Sequence, residues 1–156
     1  MGLMPFQPAR KAEGSCEVRQ MTPTASASIT NGAPVQRNAT DPEKIEEATG
    51  GATVTGIIGV AIAAAVSGTP EFGDTIPVAI ASQDQEFLGQ IWDVSGGVVA
   101  LPVKATHEGV EFGVVEISTR WYVDEEDTTD HVVRVTKVFP EIYAVLFKFI
   151  STAIGE

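Results

Sequence analysis

The sequence is poor in the residue types that most often carry chemistry. Its 156 residues hold one cysteine and two histidines. The lone cysteine, Cys16, excludes an internal disulfide, so the fold does not depend on an oxidising compartment. His107 and His131 stand in no metal-ligand spacing with each other or with Cys16. No nucleophile-elbow sequence occurs, and neither GxxxxGK[ST] nor GxGxxG is present, which leaves no recognisable triad or phosphate-binding loop. Positive charge is also scarce: ten Lys and Arg stand against 21 Asp and Glu, a net charge of −11. A polyanion repels such a chain, so nucleic acid is not expected as a partner.

Long apolar runs are missing too. The most apolar stretch, "GIIGVAIAAAV", belongs to a run over residues 54–66, too short for the roughly 20 residues a spanning helix needs. It has no basic or aromatic anchor at either end, and no membrane partner is expected. Gly56 and Gly59 each disfavour a helix by about 1 kcal/mol relative to Ala. The β-branched residues Val54, Ile58, Val60, Ile62 and Val66 alternate with small ones, which predicts one long strand with a bulky face and a close-packed face. A helix is the alternative, because residues 63–65 are all Ala. The N-terminus lacks the charged and apolar regions of a signal peptide, and Phe6 stands where a myristoylation site wants Ser or Thr. Synthesis in the cytoplasm is the expectation.

What is present points to β structure. Apolar residues make up 44% of the chain, enough for a core, and 15 Gly and nine Pro supply turns. Residues 131–139 alternate apolar and polar side chains, as a half-buried strand does; Ile76, Val78 and Ile80 would share one face of a strand, as would Val145, Phe147 and Phe149 within residues 143–151. Residues 87–94 and 98–103 read as a hairpin around Gly96-Gly97, and a strand is expected at 121–123 with a second before it. Asn31-Gly32 reads as a hairpin turn. One short helix is expected at 41–48, with Asp41 as N-cap, Pro42 in the first turn and Gly50-Gly51 beyond its end. The fold class is therefore all-β, a mainly antiparallel small barrel or sandwich, with an extended N-terminal arm and one short helix. The division is a 1–27 arm and a 28–156 barrel-like domain.

The charge is unevenly spread. Residues 51–130 carry two basic and thirteen acidic side chains, whereas residues 1–50 carry five and six, and residues 131–156 three and two. The arm and the C-terminal segment are thus the surfaces suited to an acidic partner, and the middle is suited to solvent. Residues 124–130 pack five carboxylates into seven positions. They could hold a divalent cation through oxygen, but the spacing is not that of an EF-hand, and a solvated hairpin tip is the simpler reading. Trp92, Trp121 and Tyr122 are read as packing residues of a core or an oligomer interface.

Three stretches carry a family resemblance: "GAPV" at 32–35, "GDTIPVAIA" at 73–81 and "WYVD" at 121–124. Their order and spacing resemble capsid decoration, or cement, proteins of tailed phages over about residues 28–150. The resemblance implies a non-enzymatic structural protein on the outer surface of the virion. It implies the major capsid protein and neighbouring copies of the chain as partners, in a homotrimer or a dimer, with no cofactor and no metal. Pro5, Phe6, Pro8, Arg10, Lys11 and Arg19 are then the candidate capsid-contacting residues of the arm. A head-completion or tail-tube protein is the alternative, and a small hydrolase using His131 and the acidic loop is a third reading.

Overall fold

The structure is a computed structural model that describes residues 4–11, 14–48, 56–71 and 73–155. Its strands, in chain order, begin with β1 (Gln7–Lys11), β2 (Val18–Pro23), β3 (Pro34–Arg37), β4 (Lys44–Glu47) and β5 (Ile57–Ala61). A small hairpin follows, β6 (Ala65–Val66) and β7 (Thr69–Pro70), and then β8 (Ile76–Ile80), β9 (Gln85–Gly89), β10 (Ile91–Asp93) and β11 (Val98–Val99). Helix α1 (Lys104–His107) precedes β12 (Glu111–Ile117), β13 (Arg120–Asp124) and β14 (Val133–Phe139). A 3-10 turn (Pro140–Ile142) leads into β15 (Ala144–Phe149). The all-β expectation holds. No helix among the described residues is long and apolar enough to cross a membrane.

Two bodies share these strands. A closed barrel runs β2-β4-β3-β5-β8, and an eight-stranded sheet runs β1-β9-β15-β14-β12-β13-β10-β11. The sheet rolls up on itself, because β9 and β10 are separated only by Gln90 yet lie second and seventh in its order. β9 pairs with β15, and β10 with β13, so one bent strand meets both ends of the β15-β14-β12-β13 run. A single buried cluster extends through both bodies, from Val35, Ile45 and Val60 in the barrel to Phe87, Phe147 and Phe149 in the sheet.

The N-terminal segment is extended, but as strands. β2 is a stave of the barrel, antiparallel to β8 and parallel to β4, so the expected division at 27/28 cuts through one body. The segment "VRQMTP" hides this role, because only Met21 and Pro23 of its six side chains are buried. Its place comes from the hydrogen bonds of its neighbours.

The helix expected at 41–48 is instead the β3–β4 hairpin. Asn38 accepts the Thr40 and Asp41 N–H groups, and the Lys44 N–H reaches the Asp41 carbonyl at 3.0 Å. The signals at Asp41 and Pro42 start a turn as readily as a helix. Two helical turns with one large apolar residue, Ile45, could not outweigh pairing with β3. Gly50-Gly51 lie outside the described residues. Among the described residues the one short α-helix is α1.

Three smaller expectations also shift. Asn31-Gly32 does form a turn, with the Ala33 N–H on the Thr30 carbonyl at 3.0 Å, but only Gly32 has positive φ. That is a type II geometry, not the primed turn of a hairpin, and the flanks part: Ile29 bridges Ala65 while β3 pairs with β4 and β5. The long strand expected at 54–66 is broken into β5 and the short β6, since the chain bends at Ile62-Ala63 and leaves Val66 70% exposed. Val54 lies outside the described residues. β5 is buried on both faces, and its close-packed position is Gly59, where a Cβ would strike the Ala79 carbonyl of β8. Finally, the hairpin at 87–103 is only β10–β11, because β9 departs to pair with β1 and β15.

Candidate functional site

The six arm residues do not form one outward surface. Phe6 is 1% exposed, with its ring 4.7 Å from that of Phe147, over Gly89, where a Cβ would meet it. As a contact for a capsid Phe6 is therefore corrected: it anchors the arm to its own sheet, because burying a large aromatic there stabilises more than any exposed position could. Pro5 lies over Gly32, and the Met4 N–H donates to Gln90 Oε1 at 2.9 Å. Pro8 is half-buried opposite Phe87. Arg19 is exposed on the barrel, beside Glu17 and opposite Val78.

Arg10 and Lys11 open a different surface. Arg10 Nε donates to Glu86 Oε1 at 2.9 Å, and Thr136 Oγ1 donates to the other Glu86 oxygen at 2.5 Å. Burial alone would raise the Glu86 carboxyl, but the Thr136 hydroxyl, Arg10 and Lys148 together hold it below the ordinary value. One strand further on, Lys148 of β15 sits opposite Arg134 of β14, and Arg134 opposite Glu111 of β12. Arg134 Nη2 donates to Glu111 at 2.6 Å, and His131 Nδ1 lies 3.2 Å from the same carboxylate. A charged row thus crosses five strands, from Arg10 through Glu86, Lys148 and Arg134 to Glu111. It borders an open cleft of about 230 Å³ lined by Glu111, Arg134 and Lys148.

A second polar centre joins the two bodies. Glu47 of β4 accepts the indole N–H of Trp121 at 2.6 Å and the Thr30 N–H at 3.2 Å. Burial and the adjoining Glu116 carboxyl push Glu47 up to about 7, against the opposing pull of Trp121 and Thr30. Trp121 is 2% exposed, and Trp92 packs on Tyr122 with ring centroids 4.9 Å apart, which gives the aromatics the packing role expected of them. No signal in the sequence links Glu47 to Trp121, which lies 74 residues away.

The residues proposed for hydrolysis are engaged elsewhere. His131 Nε2 faces the Thr128 carbonyl at 2.5 Å. His107 is buried, with Nδ1 accepting the Val103 N–H at 2.9 Å and Nε2 set 2.7 Å from Glu125. Both ring nitrogens of His107 are thus engaged within the fold. In the acidic loop Asp127 Oδ1 accepts the Thr129 and Asp130 N–H groups, and Asp124 Oδ1 that of Glu126. No group of three or more His, Cys, Asp or Glu suited to a metal ion occurs among the described residues. Burial pushes the Cys16 thiol up, away from a reactive thiolate. No protein-family model, curated protein or solved structure matches the chain.

Proposed function

We propose that the chain is a viral structural protein without enzymatic activity. It is made in the host cytoplasm, binds the outer surface of an assembled tailed-phage capsid and stabilises it. Its partners are the major capsid protein and copies of itself, in a homotrimer or a dimer. One observation carries this reading: the three stretches behind the family resemblance meet in one framework. Residues 32–35 enter β3 and residues 73–81 contain β8, and both strands pair with β5. Trp121, from the third stretch, bonds Glu47 on β4, the other neighbour of β3. The three stretches are remote in sequence and adjacent in the fold. Exposed apolar side chains add surface for a partner, Val66 at 70%, Val98 at 54% and Ile142 at 46%.

The test is rebinding. Purified full-length protein is mixed with mature, expanded phage capsids stripped of decoration protein, and co-sedimentation is measured. The expected result is saturable binding and a higher temperature of capsid rupture. No affinity for expanded capsids would overturn the proposal. Multivalent engagement of one particle makes binding avid even where each contact is weak.

A further inference from the structure

The rolled sheet is electrically two-sided. Strands β1, β9, β15 and β14 carry five basic side chains, Arg10, Lys11, Arg134, Lys137 and Lys148, against one acid, Glu86. Strands β12, β13, β10 and β11 carry one basic side chain, Arg120, against four acids. Residues 10–11 and 134–148 are remote in sequence, and β9 and β15 bring them onto one wall. Among the described residues Lys137 and Lys148 enter no ion pair within the chain: Lys137 lies over the Phe139 ring at 5.3 Å, and Lys148 acts on Glu86 only at longer range.

The opposite side has the complementary excess. The loop at 124–130 meets the β10–β11 turn through the Ser95 N–H, which donates to Glu126 at 2.6 Å. Asp124, Glu126 and Asp127 accept hydrogen bonds from backbone N–H groups, with the Thr129 hydroxyl added at Asp127. None of the three meets a Lys or Arg among the described residues. Burial and the neighbouring Asp127 and Glu126 charges raise the Asp124 carboxyl, as expected where like charges gather without a counter-ion. Val94 and Val98 stand exposed beside this loop, at 46% and 54%, while half-buried Phe139 and exposed Ile142 flank the basic wall. Each side therefore offers charge of one sign next to apolar surface.

We propose that these two sides recognise each other between copies: the β14–β15 wall of one chain docks, head to tail, on the 93–98 turn and 124–130 loop of the next. Such an interface uses different patches on the two partners, so it propagates until the rotation closes a ring. Opposite charge steers the encounter and fixes the register, while the apolar margins supply burial. The inference rests on the self-association proposed above but not on the capsid as target. Capsid binding is scored separately, so either idea can fail without the other.

The experiment is sedimentation of the free full-length chain at low and high salt. Self-association is expected to weaken by about tenfold or more as screening shortens the range of the charges. The variant K137E/K148E and the variant E126K/T128K are each expected to lose association by a similar factor. These substitutions avoid the ion-paired Arg10, Arg134 and Glu111, and circular dichroism checks each fold. If a variant fails to fold, the salt response of the unaltered chain still decides. A monomer at every salt concentration, association that strengthens with salt, or folded charge variants that associate as tightly as the unaltered chain would each overturn the proposal.

Discussion

The barrel and the rolled sheet solve the same problem with different side chains. On the barrel strands the buried apolar residues are Val35, Ile45, Ile57, Ile58, Val60, Ala61, Ile76, Val78 and Ala79, with Met21, and none is aromatic. In the sheet the core is built on Phe87, Phe112, Trp121, Phe147 and Phe149, with Phe6 supplied by the segment leading into β1. Five staves enclose a narrow space that β-branched side chains and Ala fill, and closure leaves the barrel no edge strand. The larger sheet surrounds a wider core that needs rings, and it ends in β1 and β11. The difference teaches that the closed body supplies the frame, while the open-ended body carries the charge asymmetry and the surfaces left for partners.

The sharpest way to break this comparison is at the aromatic core. Phe147 is fully buried and touches the rings of Phe6, Phe87 and Phe149. Phe147→Ala is expected to cost about 3–5 kcal/mol in chemical denaturation, and a loss below 1 kcal/mol would mean the rings do not organise that body. The barrel should fail differently, by overpacking. Gly59→Val drives a branched side chain into the Ala79 carbonyl of the adjacent stave, with an expected loss of about 1–3 kcal/mol read from the midpoint of urea unfolding.

The link between the bodies should respond to pH. Glu47 titrates near 7 in the fold against an ordinary value of 4.5, so the folded state holds its proton more tightly than the unfolded state. That stabilisation is complete below about 4.5, declines as pH rises through the window and is gone above 7. For this half-exposed carboxyl, solvent screening reduces the effect to the order of 1 kcal/mol. Glu47→Gln should flatten the slope of stability against pH between those values, and an unchanged slope would remove Glu47 as its source. Trp121→Phe deletes the donor that holds Glu47 down, so the same window should move upward. The smallest effect belongs to the charged wall: Arg10→Ala should change stability by less than about 0.5 kcal/mol, as exposed ion pairs usually do, while still altering association between copies.

The sequence disclosed those elements whose own side chains declare them. β14 alternates clearly because it buries one face on the core, while β8 and β15 show as runs of apolar residues, Ile76 to Ile80 and Ala144 to Phe147, that are buried almost throughout. β2 could not be read, since its two buried residues, Met21 and Pro23, do not make a pattern and its partners β4 and β8 lie far along the chain. Phe6 looked like an anchor for a partner because a lone aromatic beside prolines says nothing about what covers it. The charge imbalance between segments was legible, but its gathering onto one wall was not. That depends on register, which sets Arg10 opposite Glu86 and Lys148 opposite Arg134. The Glu47–Trp121 contact was hidden for the same reason: a β-strand tells which face a side chain takes, not which distant residue it meets.

The placement of β1 also sets a timetable for synthesis. Every stave of the barrel lies between residues 18 and 80, so that body can close while the rest of the chain is still being made. The strand made first cannot dock then. β1 needs β9, and Phe6 needs Phe147, close to the end of the chain. Contacts spanning so much sequence slow folding, and they leave the first strand waiting for the last. β5 waits too, since Ile57 exchanges backbone hydrogen bonds with Ala153 and Gly155, so the last residues described close contacts in both bodies.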